Sequence, residues 1–141
     1  MKYEDLGAAK DEIRLFKSAL GELAAPPVET FMTAAAPGII ATTMLNAHYD
    51  THEAYVFALA REMRKEYELI AHDFILQIDA PDLAMERHRF FDGLSERDFL
   101  KQLEIHVAAI NQGIAGIPRD QVRLHVCWGN YEGPHDCDVP L

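Results

Sequence analysis

At 141 residues, about half of them hydrophobic (49%) and a quarter charged (26%), the chain has room for one domain with one modest core. Its formal net charge of −10, with 13 scattered basic residues, repels a phosphate backbone, so no nucleic-acid partner is expected. It contains no apolar run of about 18 residues, and MKYEDLGAAKDEIRLFK lacks an apolar signal segment, so neither a membrane span nor a secretory leader is expected.

The first segment, from about Tyr3 to Leu23, sets Leu6, Ile13, Phe16, Leu20 and Leu23 at helical spacings and predicts an amphipathic helix. Ala24-Ala25-Pro26-Pro27 stops it, because proline cannot continue the hydrogen-bond ladder. Val28 to Thr33 reads as a short strand, and Ala34-Ala35-Ala36-Pro37-Gly38 as the turn out of it. The run from Gly38 to Asn46 fits a loop or a short helix equally well. Asp50 or Thr51 then caps a long helix to about Ala71, whose buried stripe is Tyr55, Leu59, Met63, Tyr67 and Ile70.

Phe74 to Ile78 is a continuous apolar run of strand length, the kind that a parallel strand covered on both faces requires. Asp79-Ala80-Pro81 ends it. Ser95 with Asp98 opens a helix to about Gln112, closed by Gly113, Gly116 and Pro118. Val122 to Trp128 is the third strand. Helix and strand alternate throughout, which predicts right-handed parallel β-α-β units in one domain over residues 1–141. Three units are too few to close an eight-stranded barrel of about 250 residues, and DVPL stops where another helix should begin. The expected fold is therefore α/β, a partial (β/α)8 barrel. Its outer strands would need cover from a second copy or from the missing barrel half.

The chemistry-bearing residues fall at strand C-terminal ends, the rim on which parallel α/β folds bind ligands. Thr33 and the Ala-Ala-Ala-Pro-Gly turn follow the first strand, Asp79 ends the second, and His125 with Cys127 ends the third. Residues two apart on a strand point to one side, so the His125 imidazole and the Cys127 thiolate could converge on one zinc ion, which takes nitrogen and sulfur ligands. The competing reading is a buried cysteine beside a satisfied histidine. His135 and Cys137 repeat the spacing and, with Glu132, offer further ligands for a local site; as exposed loop residues they would do nothing. Two cysteines are too few for a disulfide framework, and a reducing cytoplasm is the expected compartment.

Asp79, at the edge of an apolar strand, needs a partner: a ligand amine, a basic side chain, or a turn amide before Pro81. Asp82 reads as the cap of the next turn. His88 reads as a surface residue rather than a rim histidine, and the histidines at 48, 52, 72 and 106 fall on helices or loops with no assigned role.

Two stretches resemble a known family. LHVCWGNYEGPHDCDVPL is similar to the zinc strand of the cobalamin-independent methionine synthases and their short homologues, in which H-x-C supplies two zinc ligands. LQIDAPDLAM resembles that family's Q-x-D-x-P strand, whose aspartate holds the amino group of the thiol substrate, and FMTAAAPG looks like the turn before the substrate cavity in short bacterial members. The resemblance implies a (β/α)8 barrel in which zinc lowers the pKa of the homocysteine thiol, and the thiolate attacks the methyl group of 5-methyltetrahydrofolate. It implies that His125 and Cys127 are zinc ligands and that Asp79 contacts substrate. The family's other ligands, a glutamate and a second cysteine, lie on later strands with no counterpart here. Its early glycine-serine segment has none either. Two alternatives share the residues: alkylation of another thiol, as in epoxyalkane:coenzyme M transferase, and a truncated or assembling half-barrel without turnover.

Overall fold

A computed structural model describes residues 1–88, 90–128 and 134. The elements in chain order are α1 (Gly7–Gly21), β1 (Phe31–Ala35), α2 (Pro37–Thr43), α3 (His52–Ala71), β2 (Ile75–Asp79), α4 (Glu96–Gly113) and β3 (Val122–His125). Short 3-10 turns at Pro81–Leu83 and Met85–His88 follow β2, and another at Arg119–Gln121 leads into β3.

Both long helices start where side-chain caps dictate. Thr51 is extended, and its Oγ1 accepts the Ala54 amide at 3.1 Å; Ser95 Oγ accepts the Asp98 amide at 3.2 Å. The stripe expected on α3 is buried in full, from Tyr55 through Leu59, Met63 and Tyr67 to Ile70. Residues 37–43 resolve the ambiguous run as a helix, with Pro37 in its first turn, where a missing amide hydrogen does no harm.

The three strands pair in parallel in the order β1-β2-β3, with Phe31 opposite Ile75, Ala35 opposite Asp79, and Asp79 opposite His125. All three strands differ in span from the sequence expectation, β2 by one residue at each end, and pairing explains the start of the first and the end of the third. The first strand runs Phe31–Ala35 rather than Val28–Thr33. β2 begins only at Ile75, because the end of α3 uses the Asp73 and Phe74 amides, so Val28 has no neighbour and stands fully exposed. The third strand stops at His125 rather than Trp128. Its last ladder bond runs from the Ala80 amide to the His125 carbonyl at 2.9 Å, and from Pro81 the chain after β2 turns away into the 3-10 turn Pro81–Leu83.

One sheet face is covered. Ala34, Leu76 and Ile78 are buried with Ile13 of α1, Met63, Tyr67 and Ile70 of α3, and Ile110 of α4. A second cluster joins Ala41 of α2 to Val56, Leu59 and Ala60 of α3 and Ala109 of α4. Tyr67 ties the layers together, its hydroxyl donating to the Ala35 carbonyl at 2.6 Å; burial raises its pKa far above the ordinary phenol value. The other face is open, with Phe31, Thr33 and His125 exposed and Gln77, Asp79 and Arg123 half-buried. This is a mixed α/β fold built on a three-stranded parallel sheet. No helix among the described residues is long and apolar enough to cross a membrane.

Candidate functional site

The open sheet face carries the polar residues of all three strands in two rows. Register places Thr33, Gln77 and Arg123 side by side, and one step toward the strand ends it places Ala35, Asp79 and His125 side by side. Side chains of registered neighbours leave a sheet on the same side. Asp79 and His125 therefore share both a face and a rim, as their expected placement at strand ends requires.

Asp79 is held rather than loose. Gln77 Nε2 donates to Asp79 Oδ1 at 2.9 Å, and Arg123 Nε donates to Gln77 Oε1 at 2.9 Å. The arginine fixes which end of the Gln77 amide is oxygen, so the NH2 must point at Asp79. Arg123 is steadied in turn by the Phe31 ring, 3.5 Å below its guanidinium carbon, and by Glu29 at 3.7 Å. One Asp79 oxygen has its partner supplied from below, while the carboxylate faces the open side half-buried. The turn-cap reading of Asp79 finds no support among the described hydrogen bonds. The chain from Arg123 through Gln77 was not read from the sequence, although Gln77 and Asp79 at period two were a signal for it.

His125 is exposed at the end of β3, and Cys127 lies two residues on, half-buried and free of any disulfide. Because β3 ends at His125, the strand geometry expected to aim both side chains at one point covers only the histidine. An imidazole and a thiol are donors of the type zinc takes, but no group of three or more His, Cys, Asp or Glu among the described residues could hold a metal ion. Glu132, His135 and Cys137 lie outside the described residues, as does the side chain of His88.

Asp82 corrects its sequence reading. It is fully buried, makes no cap bond, and binds His106 instead, Nδ1 to Oδ2 at 2.8 Å. His106, which had no assigned role, is also fully buried. Both press on Gly38 at the start of α2. Twenty-four residues separate the pair, and a helix-borne histidine gives no local signal of a partner that far away.

Comparison with known proteins finds a similarity to methionine synthases. The chain is 32% identical over 97 residues to a methionine synthase from Thermococcus kodakarensis, and 30% identical over 95 residues to one from Pyrococcus horikoshii. Each match covers 67% of this chain and 25% of the relative, so the chain corresponds to about a quarter of those proteins' length. No family model and no solved structure matches the chain.

Proposed function

We propose that this chain, similar over two thirds of its length to methionine synthases, supplies part of a zinc site that readies a thiol for methylation. The observation that carries the reading is the rim itself. Asp79 and His125 are registered neighbours on the open face, with Cys127 two residues beyond. His125 and Cys127 would hold the zinc, which when bound lowers the pKa of a coordinated thiol and keeps it nucleophilic near neutral pH. The substrates this reading selects are homocysteine and 5-methyltetrahydrofolate, giving methionine. Alkylation of a different thiol is the second reading, favoured by the same pair of donors.

The protein's own residues bind and orient. Asp79 accepts hydrogen bonds from a substrate ammonium, and its free lone pairs face the open side because Gln77 occupies one of its oxygens. Gln77 and Arg123 hold that carboxylate in one rotamer, so the amino acid arrives with its side chain at a fixed angle to His125. The proposal extends to a (β/α)8 barrel whose remaining strands and ligands come from outside this chain, a second copy or a separate barrel half. Such a barrel would cover the open face and pair the outer edges of β1 and β3.

Asp79→Asn tests the substrate role. Asparagine keeps an oxygen for Gln77 but removes the charge, so the fold survives and the ammonium loses its ionic partner. Hydrogen bonds to charged groups contribute about 1.5–3 kcal/mol, so homocysteine affinity by calorimetry should fall about 10- to 100-fold, with zinc content unchanged. Equal homocysteine affinity in wild type and variant would reject Asp79 as the amine contact.

A further inference from the structure

Behind the rim, on the helix-covered side, lies a second constellation that the thiol chemistry does not use. His106 Nε2 lies 2.8 Å from His52 Nε2, so Asp82, His106 and His52 form one continuous hydrogen-bonded line. Asp82 and His106 are fully buried, and Asp82 Oδ1 has no hydrogen-bond partner among the described residues. The His52 ring, half-buried at the start of α3, forms part of the wall of an open cavity of about 530 Å3. The other walls are mostly apolar, with Ala41, Met44, Leu45, Phe90, Phe91 and Leu94 among them. Four of these stand well out into solvent: Leu45 is 92% exposed, Met44 56%, Phe90 51% and Leu94 40%. Apolar side chains gathered around a concave mouth mark a binding site for an apolar body.

We propose that this cavity binds a small planar weak acid of the phenol or enol type, and that the Asp82–His106–His52 line takes up its proton. The aromatic walls set the shape. The rings of Phe90 and Phe91 meet edge to face with centroids 5.0 Å apart, and His52 lies 5.9 Å from Phe90 and 5.8 Å from Phe91. Charge selects a neutral acid over a carboxylate, because Asp82 and a second buried acid, Glu86, lie at this end of the molecule, the latter on an adjoining cavity.

The line has two states of equal connectivity. In the first, His106 is neutral: Nδ1–H donates to Asp82, Nε2 accepts from His52 Nε2–H, and His52 Nδ1 carries a lone pair. In the second, His106 is an imidazolium donating to both neighbours, and His52 Nδ1 carries a hydrogen. A weak acid converts the first into the second. Its O–H bond breaks, an N–H bond forms at His52 Nδ1, and the His52 Nε2 proton crosses to His106 Nε2. The ligand is left as an oxyanion accepting from His52 Nδ1–H. The new positive charge ends on His106 against the Asp82 carboxylate, so the buried line passes from one net negative charge to none. The new imidazolium is paired with that carboxylate at 2.8 Å, and the ligand oxyanion in the open cavity carries the balancing negative charge. His52 itself stays neutral in both states, in keeping with a pKa lowered to about 4 by burial and by His106.

4-Nitrophenol is the probe, because its phenol and phenolate absorb at different wavelengths, and 4-nitroanisole is its proton-free control. At a pH where the free dye is mostly protonated, dye bound to the wild type should be phenolate. In His52→Gln, and in Asp82→Asn if it folds, the phenolate-to-phenol ratio of bound dye should fall about tenfold or more, a shift of one pKa unit. 4-Nitroanisole should bind wild type and His52→Gln alike, which separates the cavity from the line. Failure of both dyes to bind the wild type overturns the proposal, as does an equal phenolate ratio in wild type and His52→Gln.

Discussion

Gly38→Ala is expected to cost about 3 kcal/mol or more of stability, far beyond an ordinary single-methyl change. A Cβ at position 38 would lie 2.0 Å from Asp82 Oδ2 and 2.4 Å from His106 Nδ1, closer than any non-bonded contact allows. Neither atom can retreat easily, since both residues are fully buried and bonded to each other. Two responses are open to the protein. It can shift α2 against the turn after β2, at about 1–3 kcal/mol for an overpacked core. It can instead break the Asp82–His106 bond and strand two polar groups, at about 3–5 kcal/mol. Gly21→Ala is the control, because no atom lies within 4 Å of a Cβ there, and its stability should change little. Urea unfolding of the two variants gives the comparison. A Gly38→Ala loss below about 1 kcal/mol would mean that α2 does not sit against the Asp82–His106 pair as described.

The second large effect concerns metal. Replacing Cys127 with serine exchanges a soft thiolate for a hydroxyl that stays protonated at neutral pH, and replacing His125 with alanine removes the nitrogen donor. Substitutions that only touch a zinc ligand's neighbour cost about 10–100-fold in affinity, so loss of a ligand should cost at least about a hundredfold. Purified wild type should carry zinc, Cys127→Ser should retain little, and the double variant His125→Ala, Cys127→Ser should retain none above background. Elemental analysis alongside a melting curve separates ligand loss from unfolding, since neither side chain lies in either of the two buried clusters. Zinc held equally by wild type and double variant would remove His125 and Cys127 from the metal site.

Local signals made the two long helices and the middle strand legible. Thr51 and Ser95 announce their helices by their own side-chain bonds, and the α3 stripe repeats on one face without a break. The parallel order followed from alternation alone. What could not be read depends on partners distant in sequence. β1 begins where β2 can meet it, and β3 ends where β2 turns away at Pro81, so neither boundary is written in its own residues. The same holds for the sites. Asp79 and His125 stood out because strand ends gather on one rim, and register then set them side by side. His52 and His106 did not stand out, because 54 residues and two helices separate them. Asp82 resembled a turn cap because its neighbours form a turn, although its carboxylate reaches inward to α4.

Zinc on the proposed His125–Cys127 pair should bind the substrate thiol. X-ray absorption at the zinc edge, recorded on the purified protein before and after homocysteine, tests it most directly. One added sulfur neighbour at about 2.3 Å is expected when homocysteine is present, lost again in Cys127→Ser. A zinc coordination shell that homocysteine leaves unchanged would contradict it.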